Sequence, residues 1–163
     1  MNTNLVFRFE PKVEDIENVR DIVKSTSFFQ EHEIPVAVEL VQERLEKGIE
    51  SGYHFIFAEK DGRTIAYACY GEVPCTKGSY DLYWIATHID YRGQGIGKIL
   101  MKKVEYQIKS IGGRVIYIET SSKAQYEPTR KFYENYGCNT EAILKDFYDL
   151  NDSKHIYSIW LEK

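Results

Sequence analysis

Cysteine is scarce: Cys69, Cys75 and Cys138 are odd in number, and no CxxC spacing joins any of them. That excludes a disulfide framework or a thiolate metal site, and leaves small hydrophobes in a reducing compartment. Long apolar runs are missing too, since nothing approaches the roughly 18 residues a membrane span needs. The opening Met1-Asn2-Thr3-Asn4-Leu5-Val6-Phe7-Arg8 has no extended apolar core and no cleavage signal. A cytoplasmic protein with no membrane partner is expected. Neither sign of charge dominates: 21 Lys and Arg stand against 25 Asp and Glu, a net −4. A nucleic-acid binder needs a basic surface, so nucleic acid is not an expected partner. His32, His54, His88 and His155 are scattered without metal-ligand spacing, and no metal is expected. Internal repeats, linkers and low-complexity tracts are absent, as is any Ser-His-Asp or Cys-His arrangement for nucleophilic catalysis.

What is present is an ordinary globular composition. Hydrophobic residues make up 43% of 163, with 13 tyrosines among them, which rules out intrinsic disorder. That length predicts one domain over residues 1–163, large enough to bury a core unaided. Leu5, Phe7 and Phe9 alternate with polar neighbours as a first strand would. Val13, Ile16, Val19 and Val23 then recur at helical spacing, and Val38, Val41, Leu45 and Ile49 repeat the pattern behind Pro35 at a helix start. Tyr53–Ala58 and Thr64–Tyr70 read as strands around Asp61-Gly62, a strong two-residue hairpin signal. Tyr80–His88 is a further strand, and Ile96, Leu100, Val104 and Ile108 mark a helix that Gly112-Gly113 stops. Val115–Thr120 is a nearly continuous apolar strand of the doubly buried kind. Pro128 starts a short helix ending at Gly137. Strands at about Thr140–Tyr148 and His155–Leu161 close the chain through Asn151-Asp152-Ser153.

The order β-α-α-β-β-β-α-β-α-β-β predicts an α/β fold. Its central sheet of six to seven strands is mixed and mostly antiparallel, flanked by about four helices. The hairpins require antiparallel neighbours, and the β-α-β crossover requires a parallel pair.

The most informative segment is Arg92-Gly93-Gln94-Gly95-Ile96-Gly97-Lys98, between a predicted strand and a predicted helix. Three glycines in five residues leave backbone N–H groups unscreened at a point where the helix dipole favours negative charge. A phosphate site is the natural use. The spacing GxGxG is not the dinucleotide GxGxxG, which also belongs after the first strand of its unit. Nor is it a P-loop, because Ile99 follows Gly97-Lys98 where a hydroxyl is required. A plain tight turn needs one glycine. It would also leave Lys98, Lys102 and Lys103 opposing the dipole with nothing to offset them.

Arg92-Gly93-Gln94-Gly95-Ile96-Gly97 resembles the Arg/Gln-x-x-Gly-x-Gly/Ala signature of the GNAT superfamily of acetyl-CoA-dependent N-acetyltransferases. The flanks agree: Trp84-Ile85-Ala86-Thr87 ends the strand before it and a helix follows. Downstream, Phe132-Tyr133-Glu134-Asn135-Tyr136-Gly137-Cys138 is similar to that family's Phe-Tyr-Glu-x-x-Gly-Phe segment, and the order of elements matches over nearly the whole chain. The resemblance implies a GNAT-like domain with acetyl-CoA as donor and a primary amine, on a small molecule or a protein, as acceptor. It implies that backbone N–H groups from Gln94 to Lys98, with Arg92, Gly93, Gly95, Ile96 and Gly97 shaping the loop, hold the CoA pyrophosphate. Backbone groups of Ile85, Ala86 and Thr87 would pair with pantetheine as though it were a strand. Such domains commonly form homodimers, so a homodimer is the assembly implied.

Acetyl transfer needs a neutral amine, a stabilised oxyanion and a proton for the departing thiolate. By the same resemblance Tyr133 is the candidate acid. Asp81, eleven residues before Arg92, stands at the offset of the catalytic glutamate of histone-type members. Glu119, at the end of the fifth strand, stands where ribosomal-protein acetyltransferases carry their base. Both carboxylates are candidates, and Tyr83 shares the face of Asp81 by period two. Phe28, Phe29 and Asp146-Phe147-Tyr148 fall in the regions that face the acceptor in this family. Two departures stand out. Tyr126 replaces the Asn often found seven residues before the tyrosine, and the stretch Ser121–Pro128 is about two residues longer than usual. The alternative function is a non-catalytic acyl-CoA sensor or scaffold of the same fold.

Overall fold

The computed structural model describes residues 4–162. Met1–Thr3 and Lys163, the ends of the predicted domain, lie outside the described residues. Seven strands and four helices follow one another in the predicted order. They are β1 (Leu5–Arg8), α1 (Asp15–Ser25), α2 (Glu33–Lys47), β2 (His54–Lys60), β3 (Arg63–Glu72) and β4 (Ser79–Thr87). Then come α3 (Ile96–Ser110), β5 (Val115–Ser121), α4 (Glu127–Tyr136), β6 (Asn139–Asp149) and β7 (Asp152–Trp160). The seven-stranded sheet has the order β1-β2-β3-β4-β5-β7-β6. β4 and β5 run parallel and the other registered pairs run antiparallel. This is the mixed, mostly antiparallel sheet expected. The chain divides into two compact units, each discontinuous in sequence.

The first unit runs through Gly71 and resumes over Trp84–Tyr106. Asp61 and Gly62 both adopt positive φ, 51° and 78°, so β2 and β3 are joined by the twisted two-residue turn that Asp-Gly favours. Phe55, Phe57 and Tyr67 stack along one face, and Val19, Ile22, Val23, Ala37, Val38 and Val41 of α1 and α2 close over the same core. Arg8 ties β1 to α1. Its guanidinium donates twice to the fully buried Asp15, at 2.7 and 2.9 Å, and also to Glu59 at 2.8 Å. Burial alone would raise the Asp15 carboxyl, but hydrogen bonds from Arg8, the Lys12 N–H and Asn18 outweigh it and hold it below the ordinary carboxylate range.

Those bonds also start α1 at Asp15, which leaves Val13 outside the helix and 73% exposed rather than on its apolar face. Pro35 is the third residue of α2, not the first. The first four helical N–H groups have no intrahelical partner, so a proline costs nothing there either. Ile49 lies in a 3-10 turn, Gly48–Ser51, and is exposed.

The second unit holds Glu72–Tyr83 and Gln107–Lys163. The parallel ladder runs from Ser79↔Val115 to Leu82↔Ile118, while β4 continues to Thr87 and β5 to Ser121. β7 lies antiparallel to β5 along the full length of β5, from Val115↔Trp160 to Ser121↔Lys154. The last hairpin is tighter than expected. Asp149 pairs with Asp152, so the turn is Leu150-Asn151 with Asn151 at φ 63°, and β7 begins at Asp152 rather than His155. α4 ends as predicted at Gly137: the Gly137 N–H donates to Glu134 O and the Cys138 N–H to Tyr133 O.

Candidate functional site: an anion loop and a carboxylate cluster

In the first unit the segment after β4 is shaped by its own short-range bonds. The His88 ring accepts the Asp90 N–H at 3.2 Å, a 3-10 turn covers Ile89–Tyr91, and the chain then reaches Arg92. Gly93 and Gly95 have φ of 75° and 79°, a region that side-chain-bearing residues rarely adopt. A Cβ built on either would meet nothing within 4 Å, so conformation and not crowding selects glycine, and the loop faces open space. The Gly95 carbonyl accepts the Ile99 N–H at 3.2 Å and so begins α3. The N–H groups of Ile96, Gly97 and Lys98 are therefore those a helix leaves without intrahelical partners, at its positive end. Ile96 is 2% exposed and pins the loop to the core, while Arg92, Gly93, Gln94, Gly95 and Lys98 are exposed. Open first-turn N–H groups beside two left-handed glycines are the arrangement that an anion site requires.

The neighbouring lysines have other occupations. The Lys103 ammonium sits 4.3 Å from the Phe7 ring centroid, and Lys102 reaches Glu105 at 3.8 Å. Lys98 alone of the three stands in the first turn of α3.

Trp84, Ile85, Ala86 and Thr87 lead into the loop, with Ala86 buried and Ile85 and Thr87 half-buried. The end of α1 and its connection to α2 touch the stretch from Trp84 to Arg92 at three places. Ser25 Oγ accepts the Ile89 N–H at 3.1 Å, the Arg92 guanidinium lies 4.4 Å over Phe28, and Phe29 packs 4.8 Å from Trp84. Phe28 is thus a contact of the loop itself, and Phe29 a contact of β4 before it.

In the second unit the ladder sets Asp81 opposite Tyr117, and Glu119, two residues on, shares that face. The structure brings the two candidate carboxylates together. It adds a group that sequence reasoning missed, Lys154 of β7. Its ammonium lies 2.8 Å from Glu119 Oε2 and 4.0 Å from the Phe147 ring centroid, and its side chain is only 12% exposed. The charge pattern of the strand carries no signal for this, because the meeting depends on the β5–β7 register. Burial, and next the negative charge of Glu119, push the Asp81 carboxyl above its ordinary value, and Lys154 partly opposes them.

Tyr133 stands elsewhere. It faces inward from α4, 5% exposed, with its ring 5.6 Å from Tyr157 and 5.5 Å from Phe132. Burial first, then Cys138 and Tyr157, push its phenol well above the usual tyrosine value, so it stays protonated. Tyr157 is likewise raised to about 12, by burial and by Glu134, to which its hydroxyl donates at 3.2 Å. Ile118 pairs with Tyr157 and Glu119 with Ile156, so alternation puts Tyr157, and Tyr133 against it, on the sheet face opposite Glu119 and Lys154.

The long β5–α4 connection is firmly held. Arg130 donates to the carbonyls of Ser121 and Lys123 at 2.7 and 2.9 Å, Ser121 bonds Asp152, and Ser122 exchanges two bonds with Ser153. Tyr126, in the position of the usual Asn, is 8% exposed. Of the cysteines, Cys69 is buried and Cys138 half-buried, but Cys75 is exposed. Among the described residues no helix is long and apolar enough to cross a membrane.

Comparison with known proteins agrees with this geometry. The model of the acetyltransferase (GNAT) family matches residues 16–138. A crystal structure from Desulfovibrio desulfuricans, assigned to the GNAT acetyltransferases, is 44% identical with a TM-score of 0.95, over 97% of this chain and 99% of that one. The ribosomal-protein-S18-alanine N-acetyltransferase of Escherichia coli is 16% identical at a TM-score of 0.70, over 98% and 95% of the two chains. An aminoglycoside 6'-N-acetyltransferase complexed with coenzyme A is 14% identical at 0.75, over 97% and 98%. The last two share the fold.

Proposed function

The chain belongs to the GNAT family of acetyltransferases, and from that premise we propose that it transfers the acetyl group of acetyl-CoA directly to a primary amine of a small molecule or protein. Donor and acceptor are bound together, within one domain spanning residues 1–163. The observation that carries this reading is the backbone anion site at the start of α3, with Gly93 and Gly95 in left-handed conformation and first-turn N–H groups open. A pyrophosphate suits it in charge and in demand for several donors at once. Arg92, Gln94 and Lys98 border the phosphates, and Gly93, Gly95, Ile96 and Gly97 supply the backbone shape. Ile85, Ala86 and Thr87 offer main-chain groups to pantetheine, and an N–H near Ile85–Ala86 meets the oxygen of the reacting carbonyl.

The chemistry is then a matter of protons. An alkylammonium, with a pKa near ~10.4, must lose a proton before it attacks, and Asp81 or Glu119 receives that proton directly or through water. The C–N bond forms as the C–S bond breaks. Tyr133, neutral because it is buried, donates its proton to the leaving sulfur and recovers one from the nitrogen of the new amide. The balance is one ammonium and one thioester converted to one amide, one thiol and one proton released through the carboxylate. No nucleophilic side chain is needed.

The test is thiol release from acetyl-CoA across a panel of amines, beside calorimetric titration of CoA. Turnover with at least one primary amine is expected. Tight CoA binding with no turnover on any amine would replace the enzyme by a non-catalytic acyl-CoA sensor.

A further inference from the structure

Two carboxylates on one face leave open which of them takes the acceptor's proton, and the residue that distinguishes them is neither. Lys154 reaches the site from β7, opposite Ser121 in the ladder, and its stem is almost wholly covered. Phe147 lies against one side of its ammonium, 4.0 Å away, and Glu119 Oε2 meets it at 2.8 Å. A largely buried ammonium must keep a counter-charge, because an unpartnered one is costly. Glu119 is therefore committed. A proton placed on Glu119 would strip Lys154 of its ion-pair partner, whereas a proton placed on Asp81 breaks no ion pair of Lys154. Among the described residues, Glu119 and Lys154 are the charged groups acting on Asp81, with Tyr117 beside it on β5 and Tyr83 on its own strand. Glu119 raises its proton affinity and Lys154 lowers it.

We propose that Lys154 is a positioning residue that ties the Glu119 carboxylate into an ion pair, so that Asp81 is the group that accepts the acceptor's proton. The proposal rests on the acetyltransfer reading above and deepens it. The pair acts as an electrostatic setting on Asp81, with the Glu119 charge sharpening the base and Lys154 keeping that charge in place. Phe147 acts as the shield of Lys154. Asp81 passes the proton on to water after each turnover, so the balance written above is unchanged.

The experiment has two readouts. Carboxyl carbon-13 resonances of labelled aspartate follow the titration of Asp81 with or without activity, and kcat/KM against pH follows the same group in turnover. Glu119→Gln is expected to move the Asp81 titration and the acidic limb to lower pH, with a rate loss below about tenfold. Lys154→Met is expected to move both to higher pH, and Lys154→Arg to restore them. Asp81→Asn is expected to cost about 10²–10⁴-fold in kcat, the range of a lost general base. The proposal is overturned if Glu119→Gln loses as much rate as Asp81→Asn, or if neither Lys154→Met nor Glu119→Gln moves the Asp81 resonance. Variants that show the expected resonance shifts, beside a wild type that acetylates no amine, would instead remove the function and leave the electrostatic arrangement standing.

Discussion

The loop at Arg92–Lys98 and the cluster of Asp81, Glu119 and Lys154, proposed to bind and to react, are built by opposite means. The loop works through main-chain groups: two left-handed glycines, a helix start, and a buried Ile96 that anchors it. Its side chains are interchangeable over much of their length, because the donors belong to the backbone. The cluster works through side chains drawn from three strands, and its properties arise from distances that no single strand sets. A main-chain site tolerates change in everything except backbone conformation. A side-chain site tolerates change in everything except its members. The two should therefore fail differently when mutated.

The largest expected contrast comes from the cluster. Asp81→Asn removes the proton acceptor while leaving every main-chain donor in place. Its kcat should fall by about 10²–10⁴-fold with the CoA dissociation constant unchanged in titration. A parallel loss of CoA affinity would break the separation.

The loop supplies the second contrast, with the opposite signature. Gly95→Val puts a β-branched side chain where φ is 79° and a Cβ into the space facing the ligand. CoA affinity should drop about 100-fold, close to 2.7 kcal/mol. Gln94→Ala, which keeps the backbone, should change it by less than about threefold.

Tyr133→Phe comes third and sharpens the role of the opposite sheet face. It keeps the ring stack on Tyr157 and removes only the hydroxyl, so kcat should fall by about 10²-fold and melting temperature should hold. Loss restricted to KM would instead make it a packing residue.

The smallest effect tests the contacts from the α1–α2 connection. Phe28→Leu removes the ring under Arg92, a cation–π contact worth roughly 0.5–1 kcal/mol at an exposed site. CoA affinity should weaken by two- to fivefold, and Phe28→Tyr should recover it.

The pH dependence follows from one sign. Burial and then Glu119 push the Asp81 carboxyl above its ordinary value, and in the proposed reaction its anion is the active form. The acidic limb of kcat/KM should therefore lie above the usual aspartate range, with activity present above that limb and lost as pH falls through it. Initial rates between pH 4 and 8 would read it.

The same contrast explains how much could be read from sequence. The element order, the Asp61-Gly62 turn, the α3 stripe and the glycine loop were legible because each is written in adjacent residues with a fixed period or a required φ. Helix starts were less so: Val13 fell outside α1, where the Asp15 carboxylate is held by Arg8, fifty-one residues from the Glu59 that shares the same guanidinium. Lys154 was invisible, because its partner lies thirty-five residues away and only the β5–β7 register joins them. Phe147 falls in a region that faces the acceptor in this family, and nothing in the sequence signals that its ring also lies against that ammonium. Resemblance supplied Asp81 and Glu119 as separate candidates, and only the ladders show that they share a face with Lys154.

Calorimetric titration of CoA into wild-type and Gly95→Val protein reads out whether the donor half of the proposed site is built from backbone at the start of α3. Saturable one-to-one binding to the wild type is expected, with an affinity about 100-fold weaker in the variant and both proteins melting cooperatively. Equal affinity in the two would contradict it.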